Sequence, residues 1–297
     1  MTQSADATQL STDQLSADAP TPPDTAHDTE PSLSTTVAPH QLTLRDGALE
    51  MPALMWVAEG ANDATRPVAP ALVVLPDFYG FDEAFQSAAA RLCGLGYTVL
   101  APDLTAQTDL PTPDAAPSDL DDWVLKQSDA ANVKKALSAL GFLRAQEVVD
   151  PERLGILGWG WSGALALMAA GHGDALRVVC DIGGTITYPV LTANRPGSPL
   201  NFLADVEAVI FAAFAGQDLA FPDDEIRRLR THIVDNAKNG EVKSYDAPAR
   251  FWRNDTLPQT QAFWRRLGNF LAENLAGTRA GIEPLGEYPN QEARIQA

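Results

Sequence analysis

The sequence predicts a doubly wound α/β protein, with a mostly parallel sheet and helices on both of its faces. Three observations carry that expectation. Short apolar runs alternate with stretches of helical periodicity along the chain. The later runs are continuously apolar, as strands covered on both faces are. A glycine-rich turn, Gly158-Trp159-Gly160-Trp161-Ser162-Gly163, joins one such run to the helix-like run Ala164–Ala170. Sharp strand-to-helix turns are where such proteins place a phosphate cradle or a catalytic group.

Residues 1–38 are rich in Ser, Thr, Asp, Ala and Pro, with no Lys or Arg and no apolar period. Such a segment cannot offset its ordering entropy, so it is expected to be a disordered acidic tail. Two runs follow, Gln41–Leu44 and Met51–Ala58, with no helix between them, which predicts an antiparallel hairpin at a sheet edge. Strand Ala71–Pro76, helix Glu83–Leu95 and strand Tyr97–Ala101 make the first parallel unit. Residues 103–127, rich in Pro and Asp, are expected to form a long polar connection bordering a site mouth. Helix Asp129–Ala145, strand Leu154–Gly158 and helix Ser162–Ala170 come next. Strands Arg177–Ile182 and Ala208–Ala213, helix Asp223–Asn236 and strand Val242–Tyr245 continue the pattern. The last helix, Pro258–Leu275, shows Phe263, Leu267, Phe270 and Leu271 at helical spacing. Residues 39–276 thus read as one α/β domain, and 277–297 as a second short tail.

The formal net charge of −18 over 297 residues argues against nucleic acid and anionic membrane as partners. No apolar run reaches the roughly 18 residues that span a bilayer, and no basic segment followed by an apolar one opens the chain. Cys93 and Cys180, the only cysteines, sit inside apolar elements. That usage points to a reducing compartment, so a cytoplasmic location is expected. The four histidines show no paired ligand spacing, and neither a metal nor a cofactor is expected.

The turn admits three readings. As G-x-G-x-x-G it is a dinucleotide fingerprint, with Asp181 near the place of a ribose-binding acid. Two strand–helix units already precede it, however, and its glycines are flanked by two bulky tryptophans. As G-x-S-x-A it makes Ser162 an alternative nucleophile. The serine would need a histidine late in the chain, and none follows His232; a helix N-cap is the simpler role. In the third reading the turn is a nucleophile elbow with Gly160 at its apex.

Four ungapped blocks support the third reading. They are Ala71–Gly80 (ALVVLPDFYG) with Gly96–Leu104, Leu154–Gly163, Ala215–Pro222 and Tyr245–Asp255. Together they resemble the dienelactone hydrolase family of α/β hydrolases. The resemblance implies an α/β-hydrolase fold and an ester or lactone hydrolase site. It puts the nucleophile position on Gly160, which has no side chain. It puts the acid on Asp218 and the histidine on Arg250, which cannot serve as a general base near neutral pH. It also implies an oxyanion hole from the backbone N–H groups of Phe78 and Trp161, donors that do not depend on side-chain identity. Asp77 falls where the family commonly has a glutamate.

With two of three triad members lost, the expectation is a protein without hydrolytic activity that keeps a binding or structural role. An active ester or lactone hydrolase using Ser162 is the alternative. Arg250 is expected to pair with Asp218 or Asp77. The aromatics Phe78, Tyr79, Trp159, Trp161, Phe251 and Trp252 are expected around the old site. They either fill it or line a pocket for a small apolar or aromatic ligand, with a protein partner as the other candidate.

Overall fold

The computed structural model describes residues 38–59, 68–106, 108, 110, 115–172, 175–218 and 223–276. The tails expected at 1–37 and 277–297 lie outside these. Strands β1 (His40–Asp46), β2 (Leu49–Trp56), β3 (Ala69–Leu75), β4 (Thr98–Pro102), β5 (Val149–Trp159), β6 (Val178–Ile182), β7 (Val209–Ala215) and β8 (Gly240–Tyr245) form one eight-stranded sheet. Its order is β1-β2-β4-β3-β5-β6-β7-β8. β1 and β2 pair antiparallel as the edge hairpin, and β2 meets β4 antiparallel. All remaining pairings are parallel.

The helices are α1 (Glu83–Gly94), α2 (Pro117–Lys126), α3 (Asp129–Arg144), α4 (Trp161–Ala170), α5 (Asp223–Asp235) and α6 (Pro258–Leu271). Alternation along the strands divides the core into two layers. Ala71, Val73 and Leu75 of β3 join Ile210, Ala212 and Phe214 of β7 under α3, α4 and α5. Leu72, Val74, Phe211 and Ala213 face the other way, under α1 and α6. All seven residues of β3 are buried, which is why it reads as an unbroken apolar run. No described helix is long and apolar enough to cross a membrane.

The 103–127 segment departs from expectation, because its second half is helix α2 rather than irregular chain. Among the residues of this helix whose burial is described, only Leu120 and Trp123 are well buried. A stripe that narrow, set among the carboxylates of Asp119, Asp121 and Asp122 and following proline-rich chain, gives little periodic signal. The helix does border the site: Leu120 and Trp123 pack with Phe78, Tyr79 and Trp161.

Candidate active site

The parallel strands bring Asp77 (after β3), Gly160 (after β5), Asp218 (after β7) and Arg250 (after β8) to one edge of the sheet, the edge where such folds bind ligands. Gly160 caps α4 with φ +56° and ψ −131°, and its N–H donates to the Ile182 carbonyl at 2.8 Å. This left-handed geometry is open mainly to glycine. The strand-to-helix turn thus has positive φ and no side chain at its apex.

Asp77 occupies the space that such a side chain would enter. An ideal Cβ on Gly160 would stand 2.6 Å from Asp77 Oδ1, 2.8 Å from its Cγ and 2.9 Å from its Oδ2. The Asp77 side chain is buried, and its Oδ1 accepts the Phe78 N–H at 2.7 Å. The Phe78 donor expected in the oxyanion hole is thus present but already engaged. Oδ2 has no hydrogen-bond partner. Burial pushes the carboxyl up to about 6; the Phe78 hydrogen bond and the charges of Arg250 and Arg253 oppose the rise.

Arg250 does not form the expected hydrogen-bonded pair with Asp77. Its guanidinium donates to the Tyr79 hydroxyl at 3.2 Å, with Cζ 4.7 Å from the centre of the Phe78 ring. Its charge reaches Asp77 through space. Its backbone is left-handed, φ +57° and ψ 32°, which costs a non-glycine residue about 1 kcal/mol. Arg253 also lies over Tyr79, at 4.6 Å, and is ion-paired with Asp82, the N-cap of α1. Asp218, itself half-buried, follows an exposed turn stitched to the Arg250 loop, where Gln217 N–H donates to the Ala247 carbonyl at 3.1 Å.

Ser162 is fully buried and lies inside the first turn of α4, so it is not the N-cap; that place belongs to Gly160. Its hydroxyl accepts the Trp159 N–H at 3.0 Å and is 2.9 Å from the Leu75 carbonyl. It ties the end of β3 to the end of β5. The remaining glycines serve packing rather than a phosphate. A Cβ on Gly163 would run into Asp181 Oδ1, and one on Gly158 into the backbone of Ser162. The Asp77 carboxylate also lies beside Gly160, the N-cap residue of α4, where a pyrophosphate would approach. Asp181 is entirely buried, which pushes its carboxyl up to about 7 against a hydrogen bond from Gly184 N–H.

The six expected aromatics fall into two groups. Phe78, Tyr79 and Trp161 gather beside Asp77, with Phe78–Tyr79 centroids 4.5 Å apart, and Trp123 meets Trp161 edge-on at 5.3 Å. Trp159, Phe251 and Trp252 instead belong to the core under α6, where Trp159 meets Trp252 at 6.1 Å and Trp264 at 5.7 Å. Strand parity explains this, because Trp159 is the last residue of β5 and points with Leu157 to the α6 face. The sequence reading missed Trp123, hidden in α2. It also missed Arg253, whose spacing of three from Arg250 within one tight turn was the available signal.

A family model described as the dienelactone hydrolase family matches residues 59–269. A protein of Methylorubrum extorquens, provisionally named carboxymethylenebutenolidase, is 26% identical over 254 residues, covering 82% of this chain and 86% of its own. A Bradyrhizobium protein, provisionally named 2-oxo-3-(5-oxofuran-2-ylidene)propanoate lactonase, is 30% identical over 248 residues, or 78% of this chain and 99% of its own. Among solved structures, a provisionally named dienelactone hydrolase from Klebsiella pneumoniae superposes with TM-score 0.70 at 20% identity, covering 79% of this chain and 98% of that one. A dienelactone hydrolase-like promiscuous phosphotriesterase from metagenomic libraries gives 0.63 at 18% identity, covering 81% and 99%. At such identities the two structures speak for the fold.

Proposed function

The chain belongs to the dienelactone hydrolase family, and from that membership we propose that it binds a small apolar or aromatic compound at the elbow without forming an acyl-enzyme. One observation carries the reading: the Asp77 carboxylate stands where an attacking side chain at position 160 would begin. The engaged Phe78 donor and the arginine at the histidine position support it. The cluster of Phe78, Tyr79, Trp123 and Trp161 supports an aromatic-walled ligand site. Two buried free thiols favour a reducing, cytoplasmic setting, and the net charge of −18 disfavours nucleic acid as a partner.

The relatives' names, which are those of lactone hydrolases, favour a second reading, hydrolysis through Ser162. A fluorophosphonate probe and a chromogenic short-chain ester separate the two. The expected result is no labelling and no turnover above buffer. Ser162→Ala should cost about 2 kcal/mol in a denaturant titration, because it leaves the buried Trp159 N–H unsatisfied. It should change no catalytic readout. Ester turnover that vanishes in Ser162→Ala would establish the serine as the nucleophile instead.

A further inference from the structure

Resting on the reading that no acyl-enzyme forms here, we propose that Asp77 is a general acid–base catalyst that moves a proton between carbon atoms of an enolisable carbonyl compound. The geometry divides the two carboxylate oxygens. Oδ1 is fixed by the Phe78 N–H at 2.7 Å. Oδ2 is buried, has no hydrogen-bond partner and lies at the apex of the elbow, which is the reaction centre of this fold. A base there can take a proton from a bound molecule without any attacking atom at position 160. The value of about 6 given to the carboxyl by burial suits a group that must both accept and return a proton near neutrality.

Arg250 supplies the complementary charge. Arg253 is committed to Asp82, whereas the Arg250 guanidinium bonds a neutral hydroxyl and lies over the Phe78 ring. It is placed to stabilise negative charge that develops on a carbonyl oxygen. The step balances internally. Oδ2 removes the proton α to the carbonyl, and the C–H electron pair becomes the enolate double bond, with negative charge on oxygen facing Arg250. The carbonyl re-forms as the same proton is delivered from Oδ2 to the γ-carbon. The double bond has moved and no atom is gained or lost.

α-Angelica lactone, a β,γ-unsaturated γ-lactone, is a suitable probe because its isomerisation and its hydrolysis give different products. NMR in deuterated buffer should show the conjugated isomer forming at least about a hundredfold faster than in buffer, with the substrate's own proton rather than solvent deuterium at the γ-carbon. Asp77→Asn keeps the acceptor for the Phe78 N–H and should lose the activity entirely. Arg250→Gln should slow it roughly a hundredfold. Should Asp77→Asn not fold, the wild-type rate decides through its pH profile. It should rise between pH 5 and pH 7 as the carboxyl ionises in the field of Arg250, Arg253 and Asp82.

No isomer above the blank, equal rates for Asp77→Asn and wild type, or a flat profile would each overturn the assignment. Open-chain 4-oxopentanoate is a separate readout. Its formation by the protein would overturn the reading that no ester chemistry survives, and the isomer signal would still judge Asp77 by itself.

Discussion

Gly160→Ala is expected to destabilise the protein by on the order of 4 kcal/mol. Two independent costs add. The backbone at φ +56°, ψ −131° charges a non-glycine residue roughly 1–3 kcal/mol. The new methyl would stand 2.6–2.9 Å from three carboxylate atoms of Asp77, an overpacking worth about 1–3 kcal/mol. Asp77→Ala removes only the second cost. A double-mutant cycle by chemical denaturation should therefore return a coupling of roughly 2 kcal/mol between the two positions. Strict additivity would mean that the carboxylate swings away freely, and the picture of an occupied nucleophile position would be wrong. For the same reason, Gly160→Cys combined with Arg250→His should not turn over a chromogenic ester while Asp77 is in place.

The second large effect is on pH dependence. Burial raises Asp77 to about 6 and Asp181 to about 7, both from an ordinary 3.8. Between about pH 4 and 7 the folded protein thus holds more protons at these sites than the unfolded chain does. Their contribution to stability is complete below pH 4 and is lost as pH rises through 6 and 7, at up to about 1.4 kcal/mol per pH unit for each group. Asp181→Asn removes one of these protons while keeping the acceptor for Gly184 N–H. From pH 5 to pH 8 the wild-type melting temperature should therefore fall further than that of the variant. The difference should be roughly 3 kcal/mol, or about 6–10 °C. Parallel melting curves for the two proteins would show that Asp181 is ionised in the fold and otherwise compensated.

The sheet was legible because β3, β5, β6 and β7 are buried on both faces and their composition says so directly. The hairpin of β1 and β2 was legible from the lack of an intervening helix. Helix α2 was not, since two buried residues cannot impose a period on a stretch dominated by carboxylates. At the site, the missing side chain at Gly160 could be read from the chain, but what stands in its place could not. The approach of Asp77 to the elbow is a tertiary contact between two distant loops, with no trace in local pattern. The division of the aromatics was present in the sequence as parity: Trp159 ends a strand, whereas Trp161 begins a helix.

The hydrogen bond from Phe78 N–H to Asp77 also sets an effective concentration. The carboxylate beside Gly160 is tethered to the chain and held by the Phe78 N–H, so it competes for that donor as an intramolecular group, at an effective molarity of order molar or above. A free phosphate or acetate at millimolar concentration cannot displace it.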